Sequence, residues 1–90
     1  MLGFRDNAAA NRFELETADG LIVAEYRDRN GVRLITHVET PAHARGKGHA
    51  ARLMQAIVAE ARDSGVKLAA ACAYAVAYFE RTPQARDVLG

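Results

Sequence analysis

The stretch Arg45-Gly46-Lys47-Gly48-His49-Ala50 lies between an extended segment, residues 34–40, and a helical one, residues 51–63. Its two glycines let the backbone turn tightly and leave room for an anion to approach the main chain. The helix that follows offers unpaired N–H groups and the positive end of its dipole at the same point. A strand, a glycine-rich turn and a helix N-terminus together make a phosphate cradle. Arg45 and Lys47 add positive charge for a polyanionic ligand. His49 reads as a solvent-facing residue at the helix start. Alone, the same stretch also reads as an ordinary turn that caps a helix.

Downstream of the turn, Ala50, Leu53, Met54, Ile57, Val58 and Ala61 recur at three- and four-residue steps. That spacing makes one apolar stripe on a long helix over residues 47–64. Ser64-Gly65 closes it, with glycine where a left-handed cap is wanted. Residues 66–72 are ambiguous. Their alanines favour helix, yet a short apolar run after a helix and a glycine also fits a buried strand. The strand is the expectation, because it completes a β-α-β unit with residues 34–40. Residues 74–81 then read as a short helix that ends before Pro83.

Upstream, the period changes to two. Residues 12–16 alternate polar and apolar side chains, as a half-buried strand does. Ala18-Asp19-Gly20 signals a turn. Residues 21–27 form a second strand, with Ile22, Ala24 and Tyr26 on one face. Asn30-Gly31 is the strongest short hairpin signal, and a third strand over residues 32–40 follows. There Leu34, Thr36 and Val38 are expected on one face, with Ile35, His37 and Glu39 on the other. Residues 5–11 read as an irregular lead-in. The first half is therefore an antiparallel meander, and Pro41 ends its last strand.

Composition narrows the function classes. Ninety residues make one domain, 1–90, and such a chain buries only about 60% of its unfolded surface or somewhat more. A net charge of +1 argues against a dedicated nucleic-acid binder, which carries a strong basic excess on one face. The single cysteine, Cys72, has no partner within the chain for a disulfide, so a reducing compartment is the default. Residues 1–6 show no apolar signal core. The longest apolar run, residues 68–79, is shorter than a bilayer span requires. The expectation is a cytoplasmic protein without membrane association, acting as a monomer or homodimer.

The pattern Arg45-x-x-Gly48-x-Ala50, on a turn between a strand and a long helix, resembles the acyl-CoA pyrophosphate loop of the GNAT N-acetyltransferases. The ordered set of Asn11-Arg12-Phe13-Glu14-Leu15, Ile35-Thr36-His37-Val38-Glu39-Thr40-Pro41, the loop itself, and residues 72–78 is similar to the very small, single-domain members of that superfamily. Two departures stand out: Cys72-Ala73 where those members tend to have Cys-Pro, and Thr82-Pro83-Gln84 where they tend to have a His-Pro-Glu-like segment.

The resemblance implies a compact α/β (α+β) GNAT fold: a mixed sheet with an antiparallel N-terminal meander, the long helix on one face, then a last strand and a short helix. It also implies acetyl-CoA as co-substrate, with no metal. The loop residues Arg45, Gly46, Lys47, Gly48, His49 and Ala50 are expected to hold the pyrophosphate. Backbone amides near Val38, Glu39 and Thr40 are expected to meet the thioester. His37 lies on the strand that splays from its neighbour in the resembling fold. A neutral amine is the nucleophile, whereas a lysine-type amine rests protonated near neutral pH, so an imidazole there is a candidate base. It also reads as a histidine on the outer sheet face. Glu39 either relays through water or is simply solvated.

Cys72 falls near where the family places the thioester. It is a candidate acid or acyl carrier, or a small buried hydrophobe. Tyr78 matches a family tyrosine that acts as general acid near the CoA sulfur. Tyr74, Tyr78 and Phe79 equally read as core aromatics. The expected activity is transfer of acetyl from acetyl-CoA to a primary amine by direct attack, the amine being a protein lysine, an N-terminus or a polyamine-like acceptor. The alternatives are a non-catalytic acyl-CoA-binding module or a small interaction domain.

Overall fold

The computed structural model describes residues 3–90; Met1 and Leu2, part of the segment read above for a signal core, lie outside the described residues. Five strands form one mixed sheet in the order β1-β2-β3-β4-β5. They are β1 (Phe4–Asn7), β2 (Arg12–Thr17), β3 (Gly20–Arg29), β4 (Val32–Glu39) and β5 (Lys67–Ala70). The first four are antiparallel neighbours, and β5 runs parallel to β4. Helix α1 (His49–Ser64) links β4 to β5, and α2 (Ala73–Arg81) follows, with a 3-10 segment, Pro83–Val88. No helix of the described residues is long and apolar enough to cross a membrane.

The meander and its turns follow the sequence reading. Asn30 and Gly31 both take positive φ, 54° and 80°, which suits the tight β3–β4 hairpin. Gly65 caps α1 at φ 78°, and its N–H bonds to the Ala61 carbonyl. The expected strand at 66–72 is present but shorter, and the β-α-β unit closes in parallel as anticipated.

One expectation fails at the N-terminus. Residues 5–11 are not an irregular lead-in: β1 pairs with β2, and a 3-10 turn, Ala8–Ala10, joins them. Cross-strand partners stabilise this edge strand. The Phe4 ring stacks on Phe13, and Arg5 Nε donates to Glu14 Oε1 at 2.6 Å. On the same strand pair, Asn7 Nδ2 and Arg12 Nε both donate to Glu14 Oε2. Glu14 is thereby buried within a strand whose alternation suggests a solvated outer face. Tyr26 donates its hydroxyl to Asp6 at 2.6 Å. Burial first, and that bond second, push its pKa up to about 12.

The second correction concerns β4. Ala24 faces Val38, whereas Tyr26 faces Ile35, so three residues of β4 span what two residues of β3 cover. This is a β-bulge at Thr36, whose hydroxyl donates to the Glu25 carbonyl. Strict alternation therefore breaks: Ile35 and Val38 both face the core. Leu34, His37 and Glu39 share the other face with their partners Arg27, Glu25 and Val23.

The core joins inner-face residues Phe13, Leu15, Ile22, Ala24, Tyr26 and Ile35 to Leu53, Met54, Ile57 and Ala61 of α1. Ala75, Tyr78 and Phe79 of α2 complete it, with Ala85 and Val88. Arg33 closes one end, its guanidinium 4.2 Å from the centre of the Tyr26 ring.

Candidate active site

The ladder between β4 and β5 covers only residues 32–35 of β4 and ends at the pair Ile35–Ala70, with a last bond from the Ala71 N–H to the Ile35 carbonyl. Beyond it the chain turns into α2, so residues 36–39 of β4 have no strand partner on that side. The bulge at Thr36 lies at this point of separation. A cleft of about 510 Å³ opens there, within the range of small-molecule sites. Its walls are His37, Val38, Glu39 and Thr40 of the freed strand end, Ala44 through Gly46, Gly48 through Ala51, and Tyr74 of α2. The freed strand end and the glycine-rich turn thus line one space.

The turn has the geometry that anion binding needs. Gly46 and Gly48 take φ values of 81° and 79°. Gly48 is the N-cap of α1 and provides no side-chain cap. The N–H groups of the first turn of α1 therefore lack a side-chain acceptor, and the helix dipole adds to their positive potential. Among the described residues, nothing lies within 4 Å of a Cβ built on Gly46, and only Arg52 Nη1, at 3.5 Å, is near one built on Gly48. Arg45 is exposed and donates through Nε to the Thr40 carbonyl at 3.2 Å, while its two Nη groups make no hydrogen bond among the described residues.

Two loop residues meet Asp19. Lys47 does not line the cleft: its ammonium pairs with Asp19 Oδ1 at 3.1 Å. His49 is not solvent-facing. It is 9% exposed, and its Nε2 lies 2.8 Å from Asp19 Oδ2. On its other side Nδ1 contacts the Arg52 guanidinium. A guanidinium only donates, so Nδ1 accepts and Nε2 donates to the carboxylate. The His49 bond and the Lys47 pairing hold the Asp19 carboxyl below its ordinary range. Nothing in the sequence pattern pairs a β2–β3 turn residue with the start of α1.

At the opposite wall, His37 and Glu39 sit on the same outward face, exposed, with Nε2 to Oε1 at 3.0 Å. Glu39 thus meets the imidazole while its side chain stays exposed to solvent. Tyr74, half-buried in the first turn of α2, lines the cleft. Tyr78 lies outside it. It packs edge-on against Phe79 and lines a separate depression with Gln55, Val58 and Arg62 of α1. Burial pushes its hydroxyl above the ordinary value. Tyr74 is therefore the aromatic that the sequence reading assigned only to the core. Cys72 is half-buried against the core and serves as N-cap of α2, its Sγ accepting from the Ala75 N–H at 3.4 Å. Among the described residues, no three His, Cys, Asp or Glu side chains converge as metal ligands.

Residues 12–88 match the family described as GCN5-related N-acetyltransferase. The chain belongs to that family. Its mixed five-stranded sheet with two main helices matches a GNAT-like N-acetyltransferase fold. The solved NMR structure of a GCN5-like protein from Staphylococcus aureus superposes with a TM-score of 0.69 at 24% identity, covering 100% of this chain and 91% of that one. No curated protein matches the chain. Membership makes the protein an enzyme of the acetyl-transfer class, and the match spans the turn, the freed strand end and α2 together.

Proposed function

We propose that this N-acetyltransferase moves acetyl from acetyl-CoA to a primary amine by direct attack in the cleft between β4 and α2. One observation carries the reading: a single cleft is lined both by an anion-ready turn and by a strand end stripped of its neighbour. The co-substrate supplies an acyl group activated as a thioester. The amides of residues 46–50, with Arg45, hold its pyrophosphate. The unpaired main chain of residues 38–40 offers donors to the thioester carbonyl, where charge develops during attack.

His37 takes the proton from the incoming ammonium, directly or through water, and Glu39 orients the imidazole through its 3.0 Å contact. Tyr74, which lines the cleft, protonates the departing thiolate in this reading. Cys72 holds the N-terminus of α2 in place and carries no acyl group. The mouth beside His37 and Glu39 is exposed, which suits an amine displayed on a protein or a polyamine better than an enclosed metabolite.

The test is acetyl-CoA turnover with spermidine, a lysine peptide and a free-N-terminus peptide, followed by thiol release and by mass of the acetylated amine. Amine-dependent turnover supports the reading. CoA binding without turnover on any amine would point to a binding module instead. Absence of CoA binding by calorimetry would overturn both.

A further inference from the structure

Three residues around the anion turn converge on one residue of a distant turn. His49 Nε2 and Lys47 Nζ meet the two carboxylate oxygens of Asp19, at 2.8 and 3.1 Å. His43 Nε2 lies 2.7 Å from the Asp19 carbonyl. Asp19 is itself fixed. Its N–H donates to Thr17 Oγ1, which in turn donates to the Gly20 carbonyl. A turn with two glycines at positive φ and no side-chain cap has a high entropy of ordering. Binding through its amides is favoured when an outside contact has already ordered it.

We infer that Asp19 is a positioning residue of the anion turn: it grips His49 and Lys47 on either side of Gly48 and so presets the amides of residues 46–49 toward the cleft. Lys47, held at Asp19, acts by anchoring the loop and not as a direct phosphate contact. The lowered carboxyl of Asp19, caused first by His49 and then by Lys47, agrees with a charged anchor throughout the neutral range. This inference rests on the pyrophosphate reading for its ligand but not for its geometry.

Two readouts separate the two. The first compares Asp19→Ala and Asp19→Asn with wild type in calorimetric CoA affinity and in steady-state kinetics. Asp19→Ala is expected to weaken CoA binding and raise KM for acetyl-CoA about tenfold, about 1.4 kcal/mol, with kcat within twofold. Asp19→Asn keeps one acceptor oxygen and is expected to lie between the two. If a directly acting Lys47 were being held back, removing the carboxylate would instead tighten binding. Affinity equal to or above wild type in a folded Asp19→Ala protein would therefore overturn the role.

The second readout needs no ligand. The amide resonances of Gly46, Gly48 and His49 in the ¹H–¹⁵N spectrum are expected to move in both variants, with faster hydrogen exchange. An unchanged loop spectrum would overturn the positioning role whether or not wild type binds CoA. A moved spectrum in a protein that binds no CoA would leave the anchor standing and sink only the pyrophosphate reading.

Discussion

His37 and Glu39 alternate on one face of β4, two residues past the point where β5 leaves it, and their side chains meet at 3.0 Å. That contact puts a paired imidazole at the exposed mouth of the cleft, where the proposed mechanism has an incoming amine shed a proton. His37→Gln is expected to lower kcat/KM most near neutral pH and much less at high pH, where the amine is already deprotonated. A pH–rate profile on a lysine peptide checks this. An equal loss at every pH would mean that His37 serves only binding.

The turn glycines lead to a second expectation. The new side chain of Gly48→Val meets only the flexible end of Arg52, so the fold persists. The cost comes from φ 79°, about 1–2 kcal/mol for a residue with a Cβ, and from a side chain standing where phosphate oxygens approach. CoA affinity should drop at least tenfold. Calorimetry on a variant with a native-like spectrum is the measurement, and wild-type affinity would refute the pyrophosphate assignment.

Tyr74 and Tyr78 divide by their surroundings. Tyr74→Phe is expected to lose on the order of 10²-fold in the chemical step, measured in single-turnover experiments with acetyl-CoA saturating. Tyr78→Phe, outside the cleft, should stay within a few fold of wild type, and Cys72→Ala should retain most of its activity. A stoichiometric acetyl adduct on Cys72 in the intact mass, turned over by added amine at the steady-state rate, would replace direct transfer with a double displacement.

Charge at the turn is testable without mutation. If Arg45, exposed beside the turn, meets the phosphates as proposed, salt screens those contacts, so CoA affinity should fall steadily between low and moderate ionic strength. Flat affinity across that range would remove Arg45 from the site.

Glu14 governs a stability effect away from the cleft. Its buried carboxylate accepts from Asn7, Arg12 and Arg5, which hold its pKa below the ordinary carboxylate value. Because the two arginines are partly exposed, Glu14→Ala should cost about 2 kcal/mol, less than a fully buried pair. The folded pKa is depressed. The contribution is therefore present above the ordinary carboxylate range and lost as pH falls through the folded value. Thermal melts from pH 7 to pH 3 should show wild type and Glu14→Ala converging at the acid end.

The sequence by itself determined the features whose causes are local. Positive φ is available to Asn30, Gly31, Gly46, Gly48 and Gly65 without tertiary help, so the hairpin, the glycine-rich turn and the helix cap were legible. The period of 3.6 from Ala50 to Ala61 placed α1, and membership of an acyl-transfer family followed from the ordered motifs. Only the tertiary structure decided matters in which two separate segments compete or meet. β1 exists because Arg5, Asp6 and Phe4 find partners on β2 and β3, a gain no single segment shows. The bulge at Thr36 is invisible to alternation because it arises from pairing β4 with β3. Tyr74 and Tyr78 lie one helical turn apart on one face, so spacing does not separate them. What separates them is that α2 starts where the strands part and runs on toward α1. The grip of Asp19 on Lys47 and His49 joins residues about thirty apart in the chain. Such a contact exists only once the sheet has brought the β2–β3 turn alongside the start of α1.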